Sequence, residues 1–248
     1  MLALYDVLYL SLAAALYGCA GWAGYSLARS LPLWIGAPLG VVAALLTLIA
    51  LVAALSALCP RLAPGKYPLA RGLSSVALGW VLRSMLRRIL FLPSLKSVLF
   101  SSNALRFLAL RALGARVAFS ANISSDVDIL DPQLLTLGPG ATVGARCFIS
   151  GHFVADGMLV LREVRIGAGA LLALQVVVAP GCTIGEKAVL KPGASLSVGA
   201  QIGDGAEIGI GALIDTVARV GNGAVVGTLA HVPPRTRIAA GARFEKAA

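Results

Sequence analysis

The sequence predicts a solenoid of short parallel β-strands, preceded by an α-helical transmembrane hairpin and amphipathic connector helices. Three observations carry that expectation. First, every sixth residue from Ile166 onward is apolar: Ile166, Leu172, Val178, Ile184, Leu190, Leu196, Ile202, Ile208, Ile214, Val220, Val226, Val232, Ile238 and Phe244. Second, a small or short side chain follows four residues after each of the first thirteen, from Ala170 and Val176 through Cys182 to Thr236 and Ala242. Third, Gly stands three residues after the apolar step at Gly169, Gly181, Gly193, Gly199, Gly205, Gly211, Gly223 and Gly241, where it supplies the φ > 0 of a tight corner. A helix repeats near 3.6 residues and a half-buried strand near 2, so neither explains a period of six. Short strands joined by corners do: three hexads close one triangular coil, its apolar residues point inward, and coils stack at about 4.8 Å. No coil is stable alone, because each buries its core against the next.

The N-terminal part reads differently. Apolar residues make up 58% of the 248-residue chain and charged ones only 13%, a composition displaced toward membrane proteins. Residues 7–28 and 30–60 carry no charge at all. Each stretch exceeds the roughly 20 residues a helix needs to cross a bilayer core, so two spans are expected near residues 4–27 and 33–58. Arg29 and Pro32 form the connecting loop, and Trp22 and Trp34 are suited to the interface beside it. A cleavable signal peptide is a poor alternative, because the N-terminus lacks basic residues and the first apolar stretch is too long. Residues 1–60 are therefore taken as a membrane hairpin.

All of the net charge of +10 lies ahead of the solenoid, since residues 1–116 hold eleven Lys/Arg against Asp6 alone. That distribution favours anionic lipid over nucleic acid. Arg61, Lys66, Arg71, Arg83, Arg87 and Arg88 all follow the second span, so both termini are expected in the cytoplasm. The protein is then a multi-pass protein of the inner membrane, its solenoid beneath the cytoplasmic face. Residues 61–116 predict a connector of two helices. In the first, Leu78, Leu82, Met85, Leu86 and Ile89 share one face, while Arg83, Ser84, Arg87 and Arg88 share the other, the pattern of an interfacial helix. Pro93 stops it, Ser94 is the expected N-cap of the second and Gly114 its C-cap. That second helix is expected to plug the open end of the solenoid and cover its strand edge.

The solenoid, residues 117–248, begins before the perfect lattice. Val117, Ile123 and Ile129 keep the step of six, and Leu137, Val143 and Ile149 resume it after two extra residues. Seventeen residues then separate Ile149 from Ile166, so the wall is interrupted by SGHFVADGMLVLREVR. His152 opens that segment and is one of only two histidines. An imidazole titrating near neutral pH can accept the proton of an attacking hydroxyl or amine. Asp156 or Glu163, on the same segment, is positioned by sequence to orient it. His231 follows a small-residue slot and reads as surface. The four cysteines form no CxxC or metal-ligand spacing; Cys147 and Cys182 occupy small-residue slots and read as buried hydrophobes.

The motifs IGAGAL, VAPGCTIG, LKPGAS, IGDGAEIGIGAL and VGNGAVVG resemble those of the hexapeptide-repeat acyltransferases, whose fold is a left-handed parallel β-helix. The resemblance implies that His152 is a general base acting on a thioester, with no metal and no covalent intermediate. It implies a homotrimer with acyl-CoA lying between neighbouring β-helices. The phosphopantetheine arm would pass Gly169, Ala173, Ser195 and Ser197, and Lys191, Arg219, Arg235, Arg237 and Arg243 are candidates for the phosphates. ALLALQ stands where many acetyltransferases of this kind have a Trp-Ile-Gly turn, a departure that touches the identity of the acyl group. DPQLLTLGPGATVG, then GHFV and VRIGAGA, is similar to the membrane-attached C-terminal regions of polylysine-synthetase-like peptide synthetases, which implies a donor or acceptor tethered to an acyl or peptidyl carrier protein. The expected function is thus a membrane-anchored acyltransferase acting on a hydrophobic or envelope-related acceptor. A non-catalytic trimeric membrane scaffold is the alternative of a different class.

Overall fold

The computed structural model describes residues 2–69 and 74–245. Arg71, counted above among the basic residues after the second apolar stretch, lies outside them. Two long helices come first, α1 (Leu2–Ala28) and α2 (Leu33–Leu58). Both are long and apolar enough to cross a membrane. They pack as an antiparallel pair through small residues: a Cβ on Gly40 would lie 2.7 Å from the Gly24 carbonyl oxygen and 2.9 Å from the Ala28 Cβ, so only glycine lets the backbones approach this closely. Trp22 and Trp34 are both largely exposed at the loop end of the pair.

Three helices follow where two were expected: α3 (Ser75–Leu90), α4 (Pro93–Ser101) and α5 (Asn103–Ala112). The second expected helix is broken at Ser102, whose backbone is extended (φ −117°, ψ 130°) and whose hydroxyl accepts the Leu105 N–H to start α5. Its first part starts at Pro93, in the first turn, not after a Ser94 cap. Gly114 does end α5, at φ +89°, with the Ala115 N–H on the Leu110 carbonyl and the Gly114 N–H on that of Arg111. On α3, Met85, Leu86, Ile89 and Leu90 are buried, whereas Leu78 is not.

The solenoid has about seven coils and three parallel faces. One face runs from Arg116–Val117 to Arg237–Ile238, the second from Asn122–Ile123 to Arg243–Phe244, and the third from Asp128–Ile129 to His231–Val232. Strands pair with the coil eighteen residues on, as in Ile184 with Ile202 and Leu190 with Ile208. The apolar steps and the small slots are both buried, Leu172, Leu190, Ile208 and Ile214 together with Ala170, Ala188, Ala206 and Ala212 being wholly so. Cys147 and Cys182 fill two of those slots as free thiols, and burial pushes the Cys182 thiol up to about 12. Each fully buried Leu or Ile contributes about 1.5–3 kcal/mol, so the interior column is the main source of stability.

The first coil is covered, as expected, by the connector helices. Arg106 of α5, 5% exposed, donates to the carbonyls of Ile123 (2.9 Å) and Ala121 (3.1 Å), and Lys96 of α4 donates to that of Val127 (2.7 Å). These bonds satisfy edge acceptors that water or another chain would otherwise take. The core is continuous across this junction, from Leu16, Leu48, Ile49 and Val52 through Leu86, Ile89 and Leu110 to Val117 and Ile123.

Candidate active site

Two irregularities in the hexad pattern lie one coil apart. After Ile129 the two extra residues are taken up by a 3₁₀ turn, Pro132–Leu134, with Asp131 at its start. After Ile149, which pairs with Ile129, the chain leaves the wall as an antiparallel hairpin, His152–Ala155 with Met158–Leu161. Gly65–Pro68, from the segment after α2, adds a third strand to that hairpin. The two interruptions therefore bring Asp131 and His152 side by side.

The contact is close. His152 Nδ1 lies 2.6 Å from Asp131 Oδ2, which also accepts the Gly151 N–H at 2.9 Å. Asp131 Oδ1 accepts the indole N–H of Trp80 from α3 at 3.0 Å. Asp131 is 2% exposed, and its two carboxylate oxygens meet three hydrogen-bonding partners. In the tautomer with the proton on Nδ1, His152 donates to Asp131 and its Nε2 lone pair is free. The edge of Trp80 further holds the ring, with centroids 4.8 Å apart at 62°. Gly151 is required here: a Cβ would come within 2.8 Å of the Leu134 Cβ and 3.1 Å of the Asp131 Cβ.

His152 opens onto a cavity of about 380 Å³ that α3 shares with the start of α1, lined by Tyr5, Trp80, Val81, Ser84, Arg87, Arg88, Leu130 and His152. The polar face of α3 thus turns toward the solenoid and its histidine. Desolvation lowers the Arg87 pKa, an effect Asp131 partly offsets, and its Nε–H is buried without an acceptor among the described residues. Arg83, one turn earlier, is likewise lowered by burial and donates to the Cys59 carbonyl at 3.4 Å.

Of the carboxylates on the hairpin segment, Asp156 sits at the turn in the left-handed region (φ +51°), exposed, at the end remote from His152. Glu163 binds Arg116 at 3.0 Å and Arg165 at 2.7 Å, and hydrogen bonds from these two arginines hold it below the usual carboxylate range. The carboxylate that meets the ring is Asp131, to which the sequence reading gave no role. Its signal was present: two extra residues one coil before the interruption that carries His152. His231 is exposed and lies 3.2 Å from Asp215.

The residues expected to line a coenzyme groove are spread around the solenoid. Gly169 is at an exposed corner with φ +65°, and Ala173 is half-buried at the next, its carbonyl taking the Cys147 thiol. Lys191 pairs with Glu207 at 3.2 Å. Ser195 lies on the third face, between Val177 and Leu213, and the Ser197 carbonyl accepts from Cys182. Arg219 and Arg237 are adjacent on the first face, in a shallow cleft of about 350 Å³ with Thr183, Gln201 and Asn222. Arg219 and Arg237 thus come together, and Ala173, whose N–H bonds the Leu190 carbonyl, stacks one coil before Lys191, while the candidates as a set are spread over all three faces.

No family model matches the sequence, and no curated protein does. Solved structures do. One is a mutant perosamine N-acetyltransferase from Caulobacter crescentus in complex with CoA and GDP-perosamine, 26% identical over 54% of this chain with a TM-score of 0.34. Another is WeeI from Acinetobacter baumannii, 24% identical over 60% of this chain with a TM-score of 0.38. A third is a mutant of AntD, an N-acyltransferase from Bacillus cereus, in complex with dTDP-4-amino-4,6-dideoxyglucose and coenzyme A, 15% identical over 52% of this chain and 78% of its own, with a TM-score of 0.44. The match spans 59% of the Caulobacter protein and 63% of the Acinetobacter one, less than two thirds of either.

Proposed function

We propose that this protein is a membrane-anchored acyltransferase that moves an acyl group from a phosphopantetheine thioester to a hydroxyl or amine of a hydrophobic acceptor. The observation that carries this reading is the His152–Asp131 pair, opening onto a cavity bordered by the start of a helix long and apolar enough to cross a bilayer. His152 Nε2 takes the proton as the acceptor oxygen or nitrogen attacks the thioester carbonyl, and Asp131 stabilises the imidazolium that results. Collapse of the tetrahedral intermediate breaks the carbon–sulfur bond, and the departing thiolate takes the proton from Nε2. Trp80 and Gly151 act as positioning residues, because both donate to Asp131.

In this reading α1 and α2 cross the inner membrane, and the solenoid is a left-handed β-helix at the cytoplasmic face. The chain assembles as a homotrimer. The scattered distribution of the expected coenzyme residues favours a donor groove completed by a second subunit, since a groove between two solenoids takes residues from more than one face. Acyl-CoA is the donor on this account, and a thioester on a carrier protein is its competitor.

The test uses the full chain in detergent, a labelled acyl-CoA and a membrane lipid extract as acceptor. Transfer of label by the wild type, reduced about 10²–10⁴-fold in His152→Ala at an unchanged melting temperature, is the expected result. Equal transfer by the variant overturns the role of His152. Free CoA at a hundredfold above its dissociation constant stabilises a folded site by about 2.7 kcal/mol. A thermal shift with a loaded carrier protein and none with CoA would transfer the donor role to the carrier.

A further inference from the structure

We propose that the cavity beside His152 is a phosphate site, in which Arg87 and Arg88 hold the phosphate of a membrane lipid with the lipid's reactive headgroup atom at His152. The proposal deepens the acyltransferase reading by naming the chemical class of the acceptor, and rests on that reading for the occupant's role as substrate.

Arg87 is the first reason. Its Nε–H is buried and has no acceptor among the described residues, a state that costs free energy unless a ligand supplies one. The nearest carboxylate cannot do so. Asp131 already accepts from Trp80, Gly151 and His152, and among the described residues no Asp or Glu forms an ion pair with Arg87 or Arg88. Two guanidinium groups, the Ser84 hydroxyl and the Tyr5 phenol line one cavity, a donor set suited to a phosphate's several oxygens. Burial pushes the Arg87 guanidinium down from its ordinary value, the direction that an incoming anion would reverse.

The second reason concerns the source of the phosphate. Tyr5 stands at the start of α1, and beyond the exposed Asp6 the apolar residues Val7, Leu8 and Leu10 of that helix are 61%, 54% and 64% exposed. A cationic cavity thus adjoins an uncovered apolar surface on a helix long enough to span a bilayer. An amphiphile with an anionic head and aliphatic tails matches both, whereas a water-soluble phosphate ester matches only the cavity.

Thermal unfolding of the full chain in neutral detergent tests this with three probes: dioleoyl phosphatidate, dioleoylglycerol and glycerol 3-phosphate. A saturable rise in melting temperature with phosphatidate alone is expected. Its half-saturation point should move at least about tenfold higher in Arg88→Gln, an exposed position that does not endanger folding, and likewise in Arg87→Gln. An equal response to dioleoylglycerol, or unchanged phosphatidate binding in both variants, overturns the phosphate site. Equal affinity for glycerol 3-phosphate overturns the lipid as its source. Because the readout is binding, it is independent of turnover. A preserved response with no transferase activity from any donor would sink the acyltransferase reading and leave the phosphate site standing. Absent phosphatidate binding alongside transfer to a neutral acceptor would do the reverse.

Discussion

The coils from Ile166 to Phe244 and the two coils before them obey the same hexad rule, but only the earlier pair breaks it. In the regular region each six residues give one strand and one corner, Leu172 to Val232 line a sealed interior, and outward residues such as Lys191 and Glu207 pair at the surface. In the earlier region two extra residues make the turn that starts at Asp131, and a longer excursion makes the hairpin that starts at His152. The first carboxylate–imidazole contact is buried, at 2.6 Å and with two further donors to the carboxylate. The second such pair, Asp215 with His231, lies within the regular region, is exposed, and is longer at 3.2 Å. Regular repeats build a rigid wall, and the departures from regularity aim side chains.

The comparison is tested most severely by exchanging carboxylates. Asp131→Asn removes the carboxylate oxygen that meets the imidazole and sets an amide against the Gly151 and Trp80 donors. Turnover should fall about 10²–10⁴-fold, whereas Asp156→Asn at the hairpin turn should leave it near wild type; steady-state rates of both variants decide which carboxylate serves the ring. In the regular wall the effect should be on stability alone. Ile208→Ala opens a cavity at a fully buried step and should cost about 2–5 kcal/mol in chemical denaturation, with turnover per folded molecule unchanged. Gly151→Ala sharpens the boundary between the regions, because its Cβ pushes Leu134 and Asp131 away from His152. A displacement near 1 Å should lower turnover by about 10²-fold, read from kcat at saturating acceptor. The smallest effect is expected at a corner. Val217 occupies a glycine slot at φ +58°, a conformation costly for a β-branched residue, and Val217→Gly should stabilise by about 1 kcal/mol in the same denaturation experiment.

The solenoid was legible in the sequence because its interior is one-dimensional: residues six apart meet the same axis, so Ile166 to Phe244 declare their common environment. The two apolar helices were legible through the uncharged lengths that became α1 and α2. What escaped were features depending on contacts between distant segments. The break at Ser102 reflects competition between local helix propensity and a hydroxyl that caps the next turn, and Gly65–Pro68 becomes a strand only because the hairpin offers it an edge. His152 was visible at an interruption, but Asp131 acts from the preceding coil, twenty-one positions away, and belongs to no motif with it. The sequence pattern puts Arg83, Ser84, Arg87 and Arg88 on the polar face of an interfacial helix; that Ser84, Arg87 and Arg88 border one cavity with His152 depends on the packing of α3 beside the first coils, which no local pattern encodes.

The measurement that bears most directly on the account is a double-mutant cycle on kcat/KM with the wild type, His152→Ala, Asp131→Asn and the double variant, all shown to be folded. If Asp131 acts through His152, the double variant should be no slower than His152→Ala, because the carboxylate has nothing left to orient. Losses that multiply in the double variant would contradict the account, since Asp131 would then serve catalysis by a route that does not pass through His152.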